Sequence, residues 1–483
     1  MPWPGLPVDA LPAWALLNAA VFHDVKIATL DGKGCGLVCE SGLNAEGAYE
    51  LPTLLSVPHN LVLNAGAVEE YAKEDRNFKQ LLDVAGHNST RDDILLFLLV
   101  QTVLASRAHQ SSVVGVSNPW TEYIKFLPQE ALVPTLWTED ERLLLRGTSL
   151  ESAVNAKITA LTAEFDKIQE TSSDIPCWND LLWQSRAVSL RDWFLLDALY
   201  RSRCLELPKS GESMVPCIDM VNHSSSPNAF YDESVKDETV LLLRPGVTIS
   251  AGDEVTISYG EAKSAAEMLF SYGFIDPDAT ADSLVLTLAP FPDDPLARAK
   301  LVAFGEPPKI HVARNNGSIH WESSFAYLMC VNEEDGLDFR VLQDTEGNRQ
   351  LRVFWQNADV TDQAADFESL IQSHELFALL RLRVVTIVQE RLQDQLDRLT
   401  SSPAPSSLPA SSDISATRSE CARAASLLRQ IETSILEGSI EALEKERLEL
   451  LADANVVAYL GSMETANLDI VDEEASNGAD EFS

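Results

Sequence analysis

Asp219-Met220-Val221-Asn222-His223-Ser224 follows an apolar stretch and runs into a Ser/Pro-rich turn. An Asn-His pair at a strand end presents an amide with two donors and an acceptor, beside backbone groups turning outward. That combination suits an amino-acid or adenine moiety. The bland alternative is an Asx-type turn that only ends a strand, so the hexapeptide gains meaning from what surrounds it. Further on, Ile257-Ser258-Tyr259-Gly260 ends another β stretch in a tyrosine, and a short helix from Ser264 leads to Tyr272-Gly273-Phe274. Each tyrosine alone reads as a core aromatic with a satisfied hydroxyl; two of them flanking one helix suggest a shared task. Upstream, Gly32-Lys33-Gly34-Cys35-Gly36 joins two β stretches. It lacks the G-x-G-x-x-G spacing and opens a strand, so it supports neither a Rossmann nor a P-loop site. Its bland reading is a hairpin turn, yet such glycines also let backbone amides approach a ligand closely.

Around these clusters the chain changes period. KIATL, GLVCE and ELPTLLSVPHNLVLN, between Val25 and Asn64, read as short strands joined by Gly turns. From Glu69 to Arg203 the period is helical, with Ile94, Leu95, Leu98, Leu99, Thr102 and Val103 expected on one helix face. MVPCIDMV, AFYDE, TVLLLRP and EVTISYG then restore β character. Towards the C-terminus, Phe367 to Val388 and Arg418 to Leu460 are helical runs, the second with an expected break at Gly438. The fold class is therefore α+β. The expected division is a β-rich core at 1–68 and 201–290, split by a helical insertion at 69–200, then a mostly helical domain at 291–462. A Pro/Ser connector at 401–413 and an acidic, solvated tail at 463–483 complete it.

Composition narrows the function. Across 483 residues, 36 Lys and Arg face 74 Asp and Glu, a net charge of -38. That disfavours nucleic acid and anionic membranes and favours a basic protein partner. Seven scattered cysteines without paired C-x-x-C spacing, and eight histidines without ligand spacing, give no metal site. Reduced thiols point to the cytosol or nucleus, and no apolar run is long enough to span a bilayer. No Ser or Cys sits in a nucleophile-elbow context, so a hydrolase is disfavoured.

Taken together, the three clusters occur in the order and spacing of SET-domain methyltransferases, and the chain resembles the Rubisco-methyltransferase-like branch over most of its length. SNPWTEYIKFLPQEALVPTLWTEDERLLLRGTSL is similar to the branch's helical insert, LYRSRCLEL to its Ser-Arg element, DMVNHS to its Asn-His motif and ISYGEAKSAAEMLFSYGF to its closing tyrosine segment. The helices from Phe367 to Leu443 resemble its substrate-binding domain. By that resemblance, Lys33, Gly34, Cys35, Arg203, Asn222, His223 and Tyr259 would bind S-adenosylmethionine, Tyr259 would be catalytic, and Asp219 and Tyr272 would shape the slot for a target lysine. The chain departs from many SET enzymes at Gly260, where Asp is common, and from the branch at Ala265, where Asn is common. The activity implied is protein-lysine N-methylation by a monomer, on a histone or non-histone protein. The alternatives are a catalytically weak interaction module and a protein-histidine methyltransferase.

Overall fold

The computed structural model describes residues 3–106, 116, 118–260, 263–279, 281–315, 317–343, 349–401 and 418–461. The chain divides into two compact units: 1–145, 150–279 and 410–425 form the first, and 146–149, 280–409 and 426–483 the second. Residues 402–413 of the expected connector, and the 463–483 tail, lie outside the described residues.

In the first unit the strands Val25–Leu30 and Gly34–Cys39 form a hairpin whose turn closes at the Leu30↔Gly34 pair. Gly32 and Gly34 adopt φ of +70° and +77°, conformations that favour glycine. Gly34–Cys39 pairs antiparallel with Glu254–Ile257, which on its other edge takes Asn222–His223 in parallel, with Thr256 opposite Asn222 and Ile257 opposite His223. This sheet thus brings the ends of all three sequence clusters onto neighbouring strands. A second four-stranded sheet runs in the order Val21–Phe22, Thr53–Pro58, Glu238–Leu243, Ala229–Glu233. MVPCIDMV is not a single strand. The strand Gly211–Met214 stops before Pro216, Cys217 takes φ +70°, and a 3-10 turn covers Ile218–Met220.

The helical insertion begins at Ala65–Glu74 and ends with Leu190–Arg203, which returns the chain to the β core at Arg203. Within it, the helix Thr90–Ala105 is buried on every side, with Ile94 through Val100 all at 1% exposure or less. The six residues expected on one face are all buried on this helix, and so are Leu96, Phe97 and Val100 outside that set: a helix apolar all round is one surrounded by protein.

The second unit differs from the expectation at its start. Before any long helix it builds two three-stranded antiparallel sheets, one of Ala281–Thr287, Lys309–Asn315 and Ser318–Glu322, the other of Leu337–Gln343, Arg349–Trp355 and Ala358–Asp359. The division falls at 279/280 rather than at 290/291. The long helices Phe377–Ser401 and Ser419–Leu451 follow, and the second runs without a break through Gly438. One helical glycine costs about 1 kcal/mol. Burial of Ile435, Leu436 and Leu443 on either side of it outweighs that.

Candidate active site

Tyr259 lies just past the strand Glu254–Ile257, where its ring stacks on Tyr272 with centroids 4.5 Å apart and 29° between planes. Its hydroxyl donates to the Val221 carbonyl at 2.8 Å, and its backbone N–H donates to His223 Nδ1 at 3.1 Å. Accepting at Nδ1 leaves the imidazole proton on Nε2, which faces Asp276 Oδ2 at 3.3 Å. Burial pushes the His223 pKa down, against the pull of Asp276. Nδ1 is thus taken by the Tyr259 backbone while Nε2 faces Asp276, so the side chain of His223 braces Tyr259.

Tyr272 is the last residue of the helix Ala265–Tyr272, which starts at a Ser264/Glu267 capping box and ends on Gly273 at φ +82°. Burial raises the hydroxyl pKa of Tyr259 well above its ordinary value and that of Tyr272 to about 12. Both stay protonated at neutral pH.

On the glycine side, Glu254 ties two clusters together. It accepts from Asn222 Nδ2 at 2.9 Å and pairs with Lys33 Nζ at 2.6 Å. Gly36 fits beneath them because it has no side chain: a Cβ there would lie 2.7 Å from Asn222 Nδ2 and 2.5 Å from Leu30 Cδ1.

A third group sits at the 3-10 turn. Asp219, with no side-chain exposure, accepts from Tyr123 Oη at 2.5 Å, while Tyr123 Oη accepts from Cys217 N at 2.8 Å. Arg203 Nη1 donates to the Asp219 carbonyl at 2.7 Å and lies 3.5 Å from Asp219 Oδ2. Burial raises the Asp219 pKa, which Arg203 and the Tyr123 hydroxyl counter. Cys35 is coupled to the same ion pair, its pKa raised first by burial, lowered by Arg203 and raised by Asp219.

A cavity of about 310 Å³ opens between these groups, walled by Arg203, Cys204, Asp219, Tyr231, Tyr259 and Tyr272, with Gly260 and Lys263 also in its lining. Of the residues singled out from sequence, Arg203, Asp219, Tyr259 and Tyr272 line it. Lys33, Gly34, Cys35, Asn222 and His223 do not; they stand on the adjoining hairpin and strand. Sequence reading missed Tyr231, Cys204, Glu254 and the Tyr123 bond. Tyr231 carried a weak signal, as the aromatic in the middle of AFYDE.

The SET domain family model matches residues 68–260. That match begins after the Gly-rich hairpin and ends before Tyr272, both of which the fold attaches to it. Among curated relatives, SET domain-containing protein 8 of Schizosaccharomyces pombe is 29% identical over 343 residues, covering 70% of this chain and 75% of that protein. The chloroplastic ribulose-1,5 bisphosphate carboxylase/oxygenase large subunit N-methyltransferase of Pisum sativum is 28% identical over 292 residues, covering 57% of this chain. The chain spans 53% of the length of that pea relative. In fold, the structure of Rubisco LSMT bound to AdoMet superimposes with a TM-score of 0.65 at 18% identity, covering 92% of this chain and 93% of that one. Residues 68–260 thus match the SET domain, and the chain as a whole is similar in sequence and in fold to SET-domain proteins that include the Rubisco large-subunit N-methyltransferase.

Proposed function

We propose that this protein transfers a methyl group from S-adenosylmethionine to a lysine side chain of another protein. The observation that carries this reading is the close fit of Gly36 against Asn222 on the strand next to the one that leads into Tyr259, whose hydroxyl is fixed on Val221 at a cavity walled by three tyrosines. The residues fit such a cofactor. Arg203 Nε and Asp219 Oδ2 are buried without hydrogen-bond partners at the cavity wall, and the Gly34-Cys35-Gly36 backbone adjoins Asn222. Lys33, Gly34, Cys35, Arg203, Asn222, His223 and Tyr259 would hold it. The cofactor supplies a methyl already activated on a sulfonium.

What remains for the protein is alignment, a dry channel and a neutral amine. A lysine with pKa near 10.4 is about three units from neutrality at pH 7.4, so presenting the free amine costs about 4 kcal/mol. Enclosure among Tyr231, Tyr259 and Tyr272 disfavours the charged form, and the nearby Arg203 guanidinium works in the same direction. Tyr259 is no general base, because burial keeps its hydroxyl protonated. Its task is to orient: the ring forms a wall and the hydroxyl is fixed on Val221.

The net charge of -38 supports a substrate with a basic segment, and seven free thiols support the cytosol or nucleus. Calorimetry with S-adenosylmethionine, beside methyl labelling of a lysate lacking this protein, tests the reading. Expected are cofactor binding by wild type and Tyr259→Phe alike, and a labelled lysine whose yield falls about 10- to 100-fold in the variant, the loss of one hydrogen bond. Absence of cofactor binding at millimolar concentration would leave the interaction-module alternative, and label on histidine would redirect the acceptor.

A further inference from the structure

Lys263 lines the same cavity as Tyr259 and Tyr272. Its alkyl stem lies across Gly260, so closely that a Cβ at that position would meet Cε at 2.7 Å and Cδ and Cγ at 3.2 Å. Its ammonium stands over the Tyr272 ring, 5.6 Å from the centroid, and Tyr272 in turn stacks on Tyr259. Among the described residues no carboxylate pairs with it, so the aromatic wall is the contact that holds this charge in place. A lysine ammonium against that wall has the chemistry of the group the cavity is proposed to receive.

We propose that Lys263 is a built-in competitor for the acceptor cavity: in the resting protein its own side chain covers the tyrosine wall, and an incoming lysine must displace it. Gly260 is the seat of the resting stem. This explains why the position next to Tyr259 carries no side chain, at a φ of +141° that favours glycine. The stem is flexible and its head is held only by a partly exposed cation–π contact, so displacement is cheap enough to be reversible and large enough to weaken small ligands that lack other contacts. Substrates with a docking surface of their own overcome it; a bare lysine does not. The cap therefore selects for whole proteins over free amino acid.

This inference rests on the proposed lysine acceptor, and its test separates the two. The probe is Nα-acetyl-lysine amide, titrated by NMR or calorimetry into the full chain saturated with S-adenosylhomocysteine, in wild type, Lys263→Gln and Lys263→Arg. Expected is binding about two- to fivefold tighter in Lys263→Gln, the worth of an exposed cation–π contact, with Lys263→Arg close to wild type because the cation is kept. Equal or weaker binding in Lys263→Gln overturns the competitor and leaves the lysine site intact. No binding by any variant, with the nucleoside bound, removes the acceptor site and the inference with it.

Discussion

Tyr123 shows how a single hydroxyl can hold a site from outside it. It donates to Asp219 and accepts from Cys217 N, and all three groups are buried. Tyr123→Phe leaves a carboxylate oxygen and an N–H without partners, each costing about 1 to 3 kcal/mol. We expect a stability loss of about 2 to 4 kcal/mol in denaturant unfolding; a loss below 0.5 kcal/mol would show that water replaces the hydroxyl. Residues of this kind escape sequence reading because their partners are remote: 96 positions separate Tyr123 from Asp219, and 221 separate Lys33 from Glu254. Asn222, His223, Tyr259 and Tyr272 were legible because each sits in a short local pattern whose order along the chain is itself the signal. The distinction between a ring that faces ligand and one that braces a neighbour, as in His223, is set by Asp276 and the Tyr259 backbone, neither of which a motif contains.

At the scale of elements, the helix Ala265–Tyr272 must end where Tyr272 meets Tyr259, and its last carbonyls need donors. Gly273 N serves Leu269, and the Arg201 guanidinium donates to the Phe270 carbonyl while lying over the Phe270 ring. Arg201 is itself aimed by Asp197, a fully buried carboxylate that Arg91 and Lys157 also neutralise. Arg201→Ala should lower kcat more than it raises the KM for protein, with Arg201→Lys recovering part of the loss. Equal kinetics in Arg201→Ala would show that the glycine cap alone places Tyr272.

A second element carries a pH dependence. In the second unit Glu432, 2% exposed, accepts from the Ser149 hydroxyl and N–H, and burial raises its pKa to about 7. A carboxyl whose folded pKa exceeds its unfolded value binds more protons in the native state, so stability falls as pH rises from about 4.5 to 7, by up to about 3 kcal/mol. Glu432→Gln keeps an acceptor for Ser149 and removes the titration; the slope of Tm against pH over that window should flatten. The strands of this unit were the least legible. Leu337–Gln343 buries only Leu337 outright and exposes its last four residues, so it offers no alternation to read. Lys309–Asn315 does alternate at Ile310 and Val312, but over too few residues to outweigh the helical signal that follows.

At the scale of the whole molecule, the excess of acids over bases is too large to be absorbed by internal pairing: 74 acidic side chains face 36 basic ones, and several of the bases are committed to buried partners such as Asp197, Asp219 and Glu141. The remaining negative potential acts on a basic protein before contact and fades beyond a Debye length of about 10 Å at 0.1 M salt and about 3 Å at 1 M. Such a field raises encounter rates and leaves the chemistry in the cavity untouched, because Arg203 and Asp219 at its wall are shielded from bulk ions. The KM for a lysine-rich protein substrate should therefore rise severalfold between 0.05 and 0.5 M NaCl while kcat holds steady, and binding of Nα-acetyl-lysine amide should change little. A parallel salt dependence of the two would mean that charge acts inside the cavity and not across the surface, whereas a flat KM would place recognition of the protein substrate in apolar contacts.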